Sequence, residues 1–290
     1  KTVSTVSIDQ AEVSYELQSE FGDLDEIANR GMLRVLVTHS KTDFFIDQGR
    51  IRGIQAEYVE EFLRKLNRDR TNRSNASESH RIIPQFVPVA FDELIPSLLA
   101  GKGDIAAAFL TMTPERTAEV DFVSPYGRLV DEILVAHKNA EPIKKLTDLS
   151  GRTVYVLKGS SYALHLSELN KSLSLLDLPA VKIVNADNQL LTEDILELVN
   201  AGIVAYTFCD DFKANLWAQA LPNIRLNQGV KLSSGQPVGW VIRPNSRLLR
   251  AALSTFSKDV KKGTLLGNIL FKKYYASTRW INNPLAKTER

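Results

Sequence analysis

The sequence predicts an α/β fold in which mostly parallel sheets are flanked by helices. Short apolar runs rich in β-branched residues alternate with helical stretches along most of the chain, a pattern typical of parallel sheets with helices on both faces. One run, Ile105 to Leu110, is apolar throughout, as expected when both faces of a sheet are covered. Ligands of such sheets bind beyond the carboxyl ends of the strands, so we expect the functional site at these strand ends.

Each predicted strand is a short apolar or β-branched run bounded by polar or turn residues. These runs span residues 33–38, 82–87, 105–110, 131–136, 153–157, 203–208 and 238–242. Helices are predicted from apolar residues that share one helical face and from residues that start or stop helices. They span residues 54–66, 91–99, 161–169, 192–199, 212–220, 248–260 and 265–275, and Thr192 caps the fourth of them.

Two polar segments stand outside this alternation. Residues 1–23 have no clear period and predict an extension, a candidate tether to a membrane or to something upstream. Residues 67–81 are almost devoid of apolar side chains and predict a surface loop.

The composition narrows the class of partner. The 36 basic and 34 acidic residues leave a net charge of +2, which gives no electrostatic reason to expect nucleic acid. Cys209 is the only cysteine, so an intramolecular disulfide is excluded. No run of 18 apolar residues predicts a membrane-spanning helix.

A candidate carboxylate receptor follows the third predicted strand. Thr113 and Pro114 suit the cap and first position of a helix, and Arg116 would lie one turn in, beside the hydroxyl of Thr113 and the first free amides near Thr111. A guanidinium can engage both oxygens of a carboxylate. The alternative is a surface arginine paired with a neighbouring glutamate.

Three further strand ends hold candidate ligand groups. Ser160 and Ser161 follow a glycine and form either an anion-binding nest of amides or a plain helix cap. Asp210 could receive an ammonium group or cap the next helix. Phe44 could cover the apolar part of a ligand or pack in the core with Phe45. Donors for an anion and an acceptor for a cation together suit a zwitterion such as an amino acid.

The chain resembles the bacterial family 3 extracellular solute-binding proteins. Two stretches support the resemblance: FDELIPSLLAGKGDI at residues 91–105, and TMTPER at 111–116 followed by VDFVSPY at 120–126. It implies the two-lobed type II periplasmic-binding-protein fold, with lobe one at 24–129 and 240–290. Lobe two would span 131–236, between crossings near 127–131 and 236–239.

By the same resemblance, Arg116 binds the carboxylate of the ligand with help from Thr113 and the amides near Thr111. Ser160 and Ser161 supply the anion contact of lobe two, Asp210 binds the amine, and Phe44 covers the ligand. The resemblance implies a periplasmic location and leaves association with the outer membrane open. Departures at Gly53-Ile54-Gln55 and Tyr126-Gly127 leave the identity of the ligand open.

Residues 206–210 and 236–240 are similar to the solute-binding module of the membrane-bound lytic murein transglycosylase F group. There, the module precedes a lysozyme-like catalytic domain and responds to cell-wall peptides. The tail 274–290 resembles the start of a connection to such a C-terminal domain. The alternative is the substrate receptor of an amino-acid ABC transporter, which would use the same cleft with a different partner.

No catalytic, cofactor or metal site is expected within these residues. The histidines at positions 39, 80, 137 and 165 lack the spacing of metal ligands, and no nucleophile elbow, phosphate-binding loop or dinucleotide fingerprint is present. The sequence therefore predicts a binding module.

Overall fold

Strands and helices alternate through the computed structural model, which describes residues 18–73 and 81–282. The strands are β1 (Met32–Val37), β2 (Phe45–Asp47), β3 (Arg50–Arg52), β4 (Ile83–Pro88), β5 (Ile105–Thr111), β6 (Asp121–Val123), β7 (Leu129–His137), β8 (Thr153–Val156), β9 (Lys182–Asn185), β10 (Tyr206–Asp210) and β11 (Ile224–Ile242). The helices are α1 (Leu24–Arg30), α2 (Ile54–Arg73), α3 (Leu94–Leu99), α4 (Pro114–Glu119), α5 (Ser161–Ser174), α6 (Thr192–Asn200), α7 (Asp211–Trp217), α8 (Arg247–Val260) and α9 (Leu265–Tyr275). The predicted α/β class is confirmed.

One long strand, β11, belongs to two groups of strands. Its residues up to Pro237 pair with β7, and those from Val238 onward pair with β5 and β6. We call β1, β4, β5, β6 and the end of β11 the first half of the molecule. The second half comprises β7 to β10 and the beginning of β11. The strand order across both halves is β4-β1-β5-β11-β7-β10-β8-β9.

Most strands in each half run in one direction. In the first half, β1, β4, β5 and β6 point the same way and β11 opposes them. In the second half, β8, β9, β10 and the beginning of β11 share a direction and β7 opposes them. Parallel strands place their carboxyl ends at one edge of the sheet, which is where polar groups can converge.

Successive side chains of a strand point to opposite faces of the sheet, so each face has its own core. In β7, Ile133 and Val135 pack into the main core, which extends from the first half to α7. Leu134 and Ala136, on the opposite face, pack against the core beneath α5.

No helix in the described ranges is long and apolar enough to cross a membrane.

The segment at 67–81 is partly helical, so the predicted loop is wrong over its first residues. Helix α2 continues to Arg73 because its apolar face is already anchored and arginines such as Arg68 and Arg70 are good helix formers that can extend it along the surface. Residues 74–80 lie outside the described ranges. The strand predicted at 238–242 is the end of β11, whose earlier part is polar and broken by glycines in the sequence.

Both ends of the described chain pack against the first half. Of the predicted extension 1–23, residues 1–17 lie outside the described ranges; the amide of Glu20 donates to the carbonyl of Gly101 at 3.0 Å. At the other end, Trp280 stacks near Tyr274, with ring centroids 5.9 Å apart, and Ile281 is buried. Residues 283–290 of the predicted connecting tail also lie outside the described ranges.

A buried carboxylate, Asp104, joins several parts of the first half. It is 1% exposed and accepts hydrogen bonds from Arg30 at 2.6 Å, from the amide of Arg34 at 2.9 Å and from Arg243 at 3.4 Å. Burial alone would raise the pKa of this carboxyl, but the hydrogen bonds and charge of Arg34 hold it below the usual value. Asp104 therefore stabilises the fold as an anion.

We expect Asp104→Asn to lower the free energy of unfolding by about 3 kcal/mol, because the buried guanidinium groups lose their counter-charge. Urea unfolding measures the change. Asp177→Asn, on the exposed loop after α5, is the matched control and should stay within about 0.5 kcal/mol of the native chain. Equal stability of the two variants would contradict the role given to Asp104.

Candidate functional site

Two small cavities lie between the halves, at the carboxyl ends of β1, β5, β8 and β10. Each has a volume of about 20 Å³, the room of about one water molecule. The first is lined by Phe91, Phe109, Thr111, Arg116, Leu157, Ser160, Ser161, Tyr162, Thr192, Asp210 and Lys213. The second is lined by Thr38, Ser40, Asp43, Phe91, Ala108, Phe109, Leu157, Leu191, Thr192, Glu193 and Lys213. A solute of amino-acid size can therefore enter only when the halves separate.

Arg116 connects the two halves. Thr113 caps α4 by accepting from the Arg116 amide at 3.4 Å, and this cap fixes the start of the helix. The guanidinium donates to the Thr111 carbonyl at 2.9 Å and to the Gly159 carbonyl at 2.8 Å. Burial lowers the pKa of Arg116, while the negative charge of Glu132 acts in the opposite direction. An arginine remains cationic in either case.

The start of α5 presents two serines to the first cavity. Ser160 precedes the helix, and its buried Oγ has no hydrogen-bond partner among the described residues. Ser161 donates to Glu132 at 2.6 Å, and its Oγ lies 3.1 Å from the Oγ1 of Thr111 in the other half. A buried hydroxyl without a partner is costly, so Ser160 is available to a bound group.

Asp210 lies at the end of β10 and is buried. Its Oδ1 accepts from the Tyr162 hydroxyl at 2.8 Å. Burial raises the pKa of the Asp210 carboxyl to about 7, although the charge of Lys213 and the Tyr162 hydroxyl act in the opposite direction. This side chain can therefore change its charge near neutral pH.

Beneath the serines, Glu132 is fully buried and holds His165. The Nδ1 of His165 lies 2.6 Å from the Oε2 of Glu132, and this hydrogen bond raises the pKa of His165. The pair orients the start of α5 without lining either cavity. Within the described ranges, no three potential ligands form a group that could hold a metal ion.

Of the predicted site residues, five line the first cavity: Thr111, Arg116, Ser160, Ser161 and Asp210. Thr113 lies outside the lining and acts as a helix cap. Phe44 is buried in the main core, 5.1 Å from Phe86 between ring centroids, and lines neither cavity. The aromatic side chains that line both cavities are Phe91 and Phe109.

Sequence reasoning missed the charged residues Asp43, Glu193 and Lys213. Lys213 lies in the second half and donates to Asp43 of the first half at 2.8 Å. The backbone of Asp43 packs directly against Gly53. Gly53 has a φ of 113°, and a Cβ atom at this position would collide with the Asp43 carbonyl, so only glycine fits. Lys213 lies in the first turn of the helix that directly follows Asp210, and this nearness in sequence was the available signal.

Further contacts between the halves surround the cavities. Lys158 pairs with Asp92 at 2.8 Å, and Lys41 pairs with Glu197 at 2.7 Å. Gly159 adopts a φ of 72°, and a Cβ atom there would lie 2.8 Å from the Cβ of Asp92. The absence of a side chain at Gly159 thus permits the close approach of the halves.

An apolar groove of about 440 Å³ lies elsewhere, between α1, α2 and α8. Its lining is mainly apolar, and none of the predicted site residues contributes to it. The two polar cavities are the candidate functional site, because charged groups of opposite sign from both halves line them.

The fold and its polar cleft define a solute-binding protein of the type II periplasmic fold. The chain belongs to the bacterial extracellular solute-binding proteins, family 3, whose sequence profile matches residues 33–277. The family resemblance seen in the sequence is confirmed.

Two relatives bear the name membrane-bound lytic murein transglycosylase F. The protein from Desulfosudis oleivorans is 26% identical over 91% of this chain and 53% of its own length. The protein from Shewanella halifaxensis is 28% identical over 78% of this chain and 43% of its own length. The chain spans about half the length of these relatives.

Solved structures of amino-acid-binding proteins share the fold. The arginine-bound form of truncated ArgBP from T. maritima is 25% identical, covers 82% of this chain and 100% of its own, and gives a TM-score of 0.66. The ancestral amino acid-binding protein AncCDT-1, a precursor of cyclohexadienyl dehydratase, is 25% identical over 87% of this chain and 98% of its own, with a TM-score of 0.65.

Proposed function

We propose that the chain binds a small zwitterionic, amino-acid-like solute between its two halves. The observation that supports this most strongly is the first cavity, which Arg116, Asp210 and Ser160, with its unpartnered hydroxyl, all line. Arg116 would bind the carboxylate, with Ser160 as a further donor. Asp210 would accept from the ammonium group. The charge pattern of a zwitterion matches this arrangement.

The two halves would act as hinged lobes. Lobe one would comprise residues 24–129 and 240–290, and lobe two residues 131–236. The chain passes between the halves at residues 124–128 and again within β11 near Pro237, so two short crossings could act as the hinge.

A ligand favours the closed arrangement only by its difference in affinity for the two states. A micromolar ligand has about 8 kcal/mol of binding free energy, enough to include a few kcal/mol of closure.

Two relatives are named membrane-bound lytic murein transglycosylase F, and this chain spans about half their length. We infer that the chain is the solute-binding module of a lytic murein transglycosylase, with an amino acid or a cell-wall peptide as its ligand. Glycosidic chemistry would then belong to a separate lysozyme-like domain. A transport receptor would use the same cleft, but relatives with 26% and 28% identity bear the transglycosylase name.

Arg116→Ala should weaken ligand binding by more than about 100-fold, because the ligand carboxylate loses its only bidentate partner in the proposed pose. Isothermal titration calorimetry against free amino acids and muropeptides measures this effect. The thermal unfolding midpoint should change by only a few degrees, since Arg116 lies at the edge of the cleft.

Arg152→Ala is the matched control, because Arg152 pairs with Glu141 on the surface of the second half. It should leave the affinity unchanged. Unaltered affinity in a folded Arg116→Ala variant would show that the carboxylate binds elsewhere, and absence of binding by the native chain would refute the proposed function itself.

Ligand affinity should fall about tenfold between pH 8 and pH 6. The Asp210 carboxyl has a pKa raised to about 7, so it is mostly ionised at pH 8 and mostly protonated at pH 6, and only the anion pairs with an ammonium group. Calorimetry across this range measures the slope. In Asp210→Asn the affinity should be lower and the slope much flatter; an unchanged slope would assign the titration to another group.

A further inference from the structure

The side chain of Lys213 stands between the two cavities and lines both. It extends from the first turn of α7 in the second half, and its Nζ donates to the Oδ2 of Asp43 in the first half at 2.8 Å. Its ammonium group lies 5.5 Å from the ring centroid of Phe109. A fixed cation therefore occupies the middle of the cleft.

Three carboxylates surround this cation. Asp43 is buried and also accepts from the Tyr275 hydroxyl. Glu193 is buried and accepts from the Lys41 amide at 3.1 Å, while Asp210 borders the first cavity. Burial would lower the pKa of Lys213, but the negative charges of Asp43, Glu193 and Asp210 outweigh it and raise that pKa above its ordinary value. Lys213 consequently remains protonated.

Without Lys213, the second cavity would be suited to a cation. Its lining offers the carboxylates of Asp43 and Glu193, the hydroxyls of Thr38 and Ser40, and the ring of Phe109. Carboxylates, hydroxyls and aromatic faces are the groups that bind a guanidinium or an ammonium group. The protein supplies that cation from its own chain.

We propose that Lys213 determines the specificity of the cleft by taking the place of a basic ligand side chain. This inference rests on the proposed function, with the ligand's carboxylate at Arg116 and its side chain directed towards the second cavity. A second cation there would be repelled by the ammonium group of Lys213, which already pairs with Asp43. The cleft therefore excludes arginine-like and lysine-like solutes and accepts amino acids with uncharged side chains.

The test compares L-arginine with L-citrulline, which has nearly the same shape but an uncharged side chain. The native chain should bind citrulline at least as tightly as arginine in calorimetric titrations. Lys213→Met removes the charge and keeps most of the side-chain length. It should shift the ratio of the two affinities towards arginine by at least about tenfold, equivalent to about 1.4 kcal/mol.

Two further variants identify the cause of the shift. Lys213→Arg retains the positive charge and should keep the native preference. The double variant Lys213→Met with Asp43→Asn should lose most of the gain, because the exposed carboxylate is removed. Should Lys213→Met fail to fold, Lys213→Gln replaces it, since an amide still donates to Asp43.

An unchanged ratio in a folded Lys213→Met or Lys213→Gln variant, including no detectable arginine binding, overturns this inference. That failure differs from failure of the proposed function, in which the native chain binds no amino acid or muropeptide at all. Native preference for arginine over citrulline would also overturn it, because Lys213 would then not exclude a basic side chain.

Discussion

Three polar side chains of the cleft, Arg116, Ser161 and Lys213, find partners across the gap between the halves, and the remaining features of the site depend on this constraint. Arg116 donates to the Gly159 carbonyl, Ser161 contacts Thr111, and Lys213 pairs with Asp43, each across the same gap. Burying such groups without partners would cost several kcal/mol. These groups therefore gain their hydrogen-bond partners when the two halves approach each other. A solute with complementary charges can bind to the same groups.

The topology explains why the groups can meet. Because β11 is shared and most strands in each half run in one direction, the carboxyl ends of β5 and β10 face each other across the junction. The loops and helix starts at those ends hold polar side chains such as Arg116, Ser161 and Lys213, beside the rings of Phe91 and Phe109. The cores, in contrast, lie above and below the sheets, so the chemistry of the cleft can vary without disturbing them.

Local patterns predicted much of this arrangement. The alternation of apolar runs and helices predicted the α/β class, and the Thr-Pro-Glu-Arg turn placed Arg116 at a strand end. The pairing of Lys213 with Asp43 joins residues 170 positions apart, and no local pattern reports such a contact. The sequence allowed Phe44 to face either the core or the cleft. In the structure its ring packs against Phe86 in the core. The early part of β11 was missed because its side chains are polar and partly exposed.

The central claim is that one solute bridges charge-complementary groups from both halves. A crystal structure of the chain with a bound amino acid or muropeptide tests it most directly. The account predicts the solute's carboxylate within hydrogen-bond distance of Arg116 and its ammonium group at Asp210, with the halves closed around it. A solute bound in the apolar groove between α1, α2 and α8, or held by one half alone, would contradict the account.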